Sequence, residues 1–174
     1  GERAAQAAIR GTRGPPPRFL RALRKTRGRA RVGWWMRERG ERLLIVSPVF
    51  NEAAHLRRTA RAVAGQARRP DRWVIVDDGS RDGTLEIARE LEAELGFVTA
   101  LAAPPADAGA DNLALAREAR AFNFGLRQAG WSDFAFVGKL DGDVELPPRW
   151  FSELLERFRA DPLLGVAGGR RAER

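Results

Sequence analysis

The sequence has no cysteine, which removes a disulfide framework, a thiolate metal site and a cysteine nucleophile. Its one histidine, His55, cannot build a multi-histidine centre, so any metal must sit on oxygen. No dense apolar run exceeds roughly eight residues, far below the ~20 that cross a bilayer. No apolar stretch follows the early basic residues as it would in a signal peptide. What remains, 174 residues at 44% apolar and 31% charged, excludes a fibrous or wholly disordered chain and fits one domain, or one with a short extension.

The formal charge of +8 is unevenly spread. Residues 1–42 carry 13 basic side chains against 3 Glu, a local +10, while residues 43–174 carry 18 basic and 20 acidic groups and stand at −2. The globular part therefore lacks the charge excess of a nucleic-acid binder. Twenty-nine of the 31 basic residues are Arg, a bias that gives a single arginine little weight as a phosphate ligand. Residues 1–42 lack sustained periodicity, contain Gly14-Pro15-Pro16-Pro17 and begin on Gly, and are read as a basic, loosely ordered arm. The Arg18-to-Arg31 run, followed by Trp34-Trp35-Met36, is suited to anionic lipid or RNA, with residues 18–36 as the segment for an anionic membrane surface; the plainer reading is a solvated tail.

From Leu43 short apolar runs alternate with amphipathic stretches, the rhythm of βαβ units around a parallel sheet. Strands are predicted at Leu43–Val46, Trp73–Val76, Phe97–Leu101 and Phe134–Leu140, with a fifth beginning at Val166-Ala167. Helices are predicted from an Asn51 cap to about Gly65, from Thr84 to Leu95, from Asp111 or Asn112 to about Ala129, and after Pro147-Pro148 up to Asp161-Pro162. On the second helix, Leu85, Ala88, Leu91 and Leu95 are expected to face inward, with Gly96 as its stop.

Three of these strands run directly into polar clusters: Ser47-Pro48-Val49-Phe50-Asn51-Glu52, Asp77-Asp78-Gly79-Ser80, and Asp141-Gly142-Asp143. In a parallel sheet those ends share one rim, where open α/β sheets bind ligands. Asp141 and Asp143, one residue apart in extended chain, point to the same side and can face a divalent ion and its diphosphate; Mg²⁺ or Mn²⁺ suits them, and the bland alternative is a loop pair capping the next helix. Asp77 and Asp78, following a buried strand, can accept from a nucleobase N–H, whereas Asp82, Gly83 and Thr84 read as turn and cap chemistry. A calcium loop starting at Asp78 fails at its twelfth position, Arg89. His55 reads as solvated. Asn123 sits mid-helix, where Asn is disfavoured, and faces either a ligand or solvent.

In this order, Ser47 to Glu52, Val76 to Thr84, Asn123-Phe124-Gly125-Leu126 and Lys139 to Asp143 resemble family 2 glycosyltransferases, over residues 43 to about 169. The resemblance implies an α/β, Rossmann-like GT-A fold, a mostly parallel sheet flanked by helices, truncated at the C-terminus, with residues 43–174 as an incomplete nucleotide-sugar-binding domain. It implies a nucleotide-diphospho-sugar donor, with Pro48, Phe50, Asn51, Glu52, Asp77, Asp78, Gly79, Ser80, Asn123 and Asp141 around it and Asp141 and Asp143 at the metal. Inverting transfer to the hydroxyl of an unidentified glycan or lipid-linked acceptor follows, with cell-envelope polysaccharide chemistry as the setting and a cytoplasmic site, peripheral to the membrane. Where many relatives carry a Lys shortly before the Asn, this chain has Glu118 and Arg120. The family's catalytic base lies beyond the acidic pair, and only 31 residues follow Asp143, so the catalytic residue is left unassigned.

Rival readings are a non-catalytic nucleotide-sugar-binding module and a haloacid dehalogenase-type phosphatase with Asp141 as nucleophile and Asp143 as acid. The second would place its pair on the first strand rather than the fourth. A dinucleotide fold is disfavoured because no GxGxxG follows the first strand.

Overall fold

The computed structural model describes residues 40–105 and 114–169. The predicted helix start at Asp111 or Asn112 and the arm up to residue 39 lie outside the described residues. Four parallel strands, β1 (Leu43–Val49), β2 (Arg72–Asp77), β3 (Val98–Ala102) and β4 (Phe136–Lys139), form one sheet in the order β3-β2-β1-β4. Between and after them come helices α1 (Leu56–Ala64), α2 (Thr84–Glu94), α3 (Ala114–Ala129) and α4 (Trp150–Ala160).

Strand side chains alternate between faces, so β1 feeds two cores. Leu43, Ile45 and Val49 join Trp73 and Ile75 under α1, α2 and α4, with Leu56, Ala60, Val63, Ala88, Leu91 and Phe151. Leu44 and Val46 join Val74 and Val76 on the opposite face, with Ala121 and Ala129 of α3. Both faces being covered, residues 43–46 of β1 and 73–76 of β2 are continuous apolar runs rather than alternating ones. One polar pair is built into the first core: the Trp73 Nε1–H donates to the buried Ser47 hydroxyl over 2.9 Å.

The chain steps outward from β1 to β2 to β3, then α3 recrosses the sheet to place β4 on the other side of β1. This reversal falls between β1 and β4, and the rim at their carboxyl ends is where open α/β sheets place ligands. Pro48 marks its start. Val46 accepts from Leu140 N–H, so the backbone of residue 48 also faces the β4 side, and β4 pairing stops at Val46. The missing proline N–H thus falls where no strand remains to accept it.

Several local readings change. β1 continues past its expected end at Val46, through Pro48 to Val49. Asn51 does not cap α1, which begins at Leu56 behind His55; Asn51 adopts a left-handed conformation, φ 56°. On α2 the inward positions are Thr84, Ile87, Ala88 and Leu91, with Leu95 packed beside them; Leu85 is outside both cores. That helix ends at Glu94 with Leu95 extended, before Gly96 is reached. Residues 166–167 form no strand: Val166 is 85% exposed and has no neighbouring strand to pair with among the described residues. Among the described residues no helix is long and apolar enough to cross a membrane.

Candidate functional site

The turn after β1 is shaped by residues some thirty positions away. The amides of Asn51, Glu52 and Ala53 donate in succession to Ser80 Oγ (2.9 Å), Thr84 Oγ1 (2.8 Å) and Asp82 Oδ2 (3.1 Å). Asn51 Oδ1 returns the connection by accepting from Arg81 N–H at 3.0 Å. With these amides taken, helical hydrogen bonding waits until Glu52 O accepts from His55 and Leu56 N–H. Asp82 also accepts from Thr84, whose hydroxyl bond, ahead of opposing desolvation and the Ala53 amide, holds its carboxyl below the ordinary carboxylate value. Asp82 and Thr84, read from sequence as turn chemistry alone, therefore join the two loops into one rim.

Asp77 ends β2 and is 3% exposed. Its Oδ2 accepts from Gly79 and Ser80 N–H, both at 3.1 Å, bending the loop, while Oδ1 has no partner among the described residues. Asp78, half-buried, is held from across the sheet by α3: Arg117 Nε donates to its Oδ2 at 3.1 Å and the guanidinium also reaches Asp78 O at 2.9 Å. The same guanidinium lies 4.6 Å from the ring centre of Phe50, which is 46% exposed. Sequence reading passed over Arg117 because it is one arginine among many; only the crossing of α3 shows where it points. Beside it, Asp78, Gly79, Ala103, Pro104, Pro105, Arg117 and Arg120 line a pocket of about 290 Å³. That is near the lower end of the roughly 300–1,000 Å³ usual for small-molecule sites.

After β4 the side chains alternate as expected: Leu140 and Gly142 are buried, Asp141 and Asp143 exposed. Gly142 has no room for a side chain, since a Cβ would lie 2.9 Å from Val49 Cγ1 and 3.2 Å from Glu52 Cγ. Glu52 thus lies directly over the acidic loop. Burial, then the charge of Asp143, and more weakly Asp82 and Asp141, push its carboxyl above the ordinary carboxylate value, against an opposing effect of His55. Asp141 Oδ1 accepts from Lys139 Nζ at 2.5 Å, and Lys139 also pairs with Glu118 of α3. Burial works against the Lys139 charge, but these two carboxylates outweigh it and hold the ammonium pKa above its ordinary value.

The rim therefore brings together Phe50, Asn51, Glu52, Asp77, Asp78, Gly79, Ser80, Asp141 and Asp143. It does not bring in Asn123, which is exposed and sits two positions from both Ala121 and Gly125, on the side of α3 away from the sheet. A divalent cation fits the donor set: Asp143 is exposed without a hydrogen bond or ion pair among the described residues, and positive charge there would relieve its crowding with Glu52. Among the described residues no three His, Asp or Glu side chains are close enough to enclose an ion by themselves. A hard cation here would draw its remaining ligands from a diphosphate and water.

A 3-2-1-4 parallel sheet with helices on both faces and acids along its carboxyl rim is a Rossmann-like domain of the GT-A type. The profile of glycosyl transferase family 2 matches residues 44–174, and the chain belongs to that family. Glycosyltransferase AglE of Haloferax volcanii is 32% identical over 114 residues, 61% of this chain and 32% of that protein. Two S. aureus TarS 1-349 crystal structures, each 20% identical over 68% of this chain with a TM-score of 0.53, share the fold; one is in complex with UDP and the other with UDP-GlcNAc. The chain spans about a third of the length of these relatives.

Proposed function

We propose that this domain holds the nucleotide-diphospho-sugar donor of an inverting, metal-dependent glycosyl transfer to an acceptor hydroxyl. The observation that carries the reading is the meeting of the Asp141-Gly142-Asp143 loop with Glu52, whose turn is hydrogen-bonded to the loop that follows Asp77-Asp78. The UDP and UDP-GlcNAc complexes of TarS, a protein of the same fold, support a nucleotide sugar as the ligand class.

In this reading Phe50 and the Arg117 guanidinium offer flat surfaces to a base, and the Asp78 carboxylate accepts from its N–H. Asp77 holds the Gly79-Ser80 backbone that brings Asp78 into place. Asp143, with Asp141, would hold Mg²⁺ or Mn²⁺, which when bound supplies charge neutralisation for the leaving diphosphate. Lys139 and Arg117 add fixed positive charge along the rim. The acceptor oxygen attacks the anomeric carbon opposite the diphosphate, its proton passing to a carboxylate that none of the rim acids is assigned to be. Residues 18–36, in this proposal, rest on the anionic cytoplasmic face of a membrane; salt-sensitive liposome binding that disappears on removing residues 1–42 tests that part.

Thermal unfolding with UDP, GDP and Mn²⁺ tests the donor site. One nucleoside diphosphate should raise the melting temperature, more so with Mn²⁺, and Asp143→Ala should remove the Mn²⁺-dependent part. No rise with either nucleotide, or an unchanged rise in Asp143→Ala, contradicts the proposal.

A further inference from the structure

The segment carrying the acidic pair leaves β4 at Lys139 and has no regular structure until α4 begins at Trp150. Its backbone groups still need partners where they are buried, and α1 supplies them. The Thr59 hydroxyl, 0% exposed, sits 2.7 Å from Gly142 O and 3.1 Å from Val144 O. Seven residues on, past the end of the same helix, Gln66 is 5% exposed; its Nε2 donates to Pro147 O at 2.7 Å and its Oε1 accepts from Phe151 N–H at 3.3 Å. The latter satisfies one of the free amides in the first turn of α4. Ala67 N–H adds a bond to Pro148 O at 2.9 Å. Around these polar pins Val144, Leu146 and Trp150 pack against the core that contains Leu56, Ala60 and Val63.

We propose that Thr59, seconded by Gln66, is the positioning residue for the acidic loop. By sharing its one hydroxyl proton between the carbonyls of Gly142, the nearer, and Val144, it keeps the side chains of Asp141 and Asp143 turned out together toward the rim. Neither residue reaches the rim itself. The inference rests on the donor-site reading and adds that the metal-dependent part of binding is set by a buried hydroxyl on the opposite side of the loop. The geometry also ties the two halves of the site together: α1 is entered through the Glu52 turn and holds the Gly142 carbonyl one turn later.

The test is calorimetric titration of the full chain with UDP, or GDP if that is the nucleotide it takes, in EDTA and in Mn²⁺. Thr59→Val keeps the side-chain volume and removes the donor; Thr59→Ser keeps the donor. The strengthening of binding by Mn²⁺ should fall about tenfold in Thr59→Val, the scale of one buried hydrogen bond, and return in Thr59→Ser. Affinity in EDTA should stay within about twofold in both, because the base-side loop is untouched. Gln66→Met releases Pro147 and Phe151 without disturbing the carbonyl beneath the acids, and should lower the Mn²⁺ effect by a smaller factor. A Mn²⁺ effect that is unchanged in Thr59→Val, or in Gln66→Met if the valine variant does not fold, overturns the positioning role alone. Equal losses with and without Mn²⁺ also overturn it, as the mark of a merely structural residue. Absence of any Mn²⁺ effect in the unaltered chain overturns the donor-site reading, and this inference with it.

Discussion

Gly125 offers a perturbation whose sign separates two physical effects. It lies in the interior of α3 on the face that meets the sheet, and a Cβ there would stand 2.7 Å from Val46 Cγ1 and 2.7 Å from Val76 Cγ2. Carbon atoms in contact prefer about 3.5–4.0 Å, so Gly125→Ala must lift α3 from β1 and β2 by nearly an ångström or displace two valines with at most 1% exposure. Overpacking of this kind costs about 1–3 kcal/mol, and with two clashes at once the upper half of that range applies. Helix propensity acts the other way by about 1 kcal/mol. The net is a destabilisation of about 1–2 kcal/mol, a fall in Tm of about 3–10 °C for a domain of this size. Thermal unfolding followed by circular dichroism reads it directly. Propensity alone gives a higher Tm, and an unchanged or higher Tm would refute the close approach of α3 to the strands. Because α3 also carries Arg117 onto Asp78, nucleotide affinity should fall along with stability.

Gly142→Ala puts a methyl group between Val49 and Glu52 beneath the acidic loop; it should cost about 1–3 kcal/mol and weaken Mn²⁺-dependent nucleotide binding in the same titration. Arg117→Met removes a partly exposed ion pair, worth about 0–1 kcal/mol, so Tm should barely move while UDP affinity drops about tenfold, the scale of a charge-assisted contact; an unchanged affinity removes Arg117 from the site. Glu52 has its pKa raised above the ordinary 4.5, chiefly by burial, so the fold holds that proton more tightly than the unfolded chain does. Its stabilising contribution is complete below the unfolded value and is lost as pH rises through the folded one. Metal-free Glu52→Gln should therefore melt above the parent at pH 7, with the gap closing toward pH 4, and a gap that widens on acidification contradicts that sign.

Sheet and helices were legible because Leu43–Val46 and Trp73–Val76 are continuous apolar runs and the helices carry apolar residues at helical spacing. The alternation of Leu140, Asp141, Gly142 and Asp143 was equally local. What escaped was fixed by distant partners. The start of α1 depends on hydroxyl and carboxylate groups at positions 80–84 capturing the amides of 51–53, which no window around Asn51 contains. Arg117 and Thr59 owe their roles to a helix crossing and a helix-to-loop contact, and neither residue type stands out in an arginine-rich chain. Asn123 drew attention as a polar residue in mid-helix, yet its phase relative to Ala121 and Gly125, already present in the spacing, turns it away from the sheet. A strand at Val166 was suggested by two apolar residues, but pairing needs a neighbour, and the strand order leaves none beside it among the described residues.

The most direct test of the donor site is paramagnetic broadening of backbone amide resonances by Mn²⁺ in the presence of the nucleoside diphosphate the chain binds. Signals of residues 50–53, 78–80 and 141–143 should vanish first, while those at the opposite end of the sheet, such as Leu43, Trp73 and Phe136, persist. Broadening centred elsewhere, or spread evenly over the domain, would contradict a cation held between the acidic loop and the β1 and β2 turns.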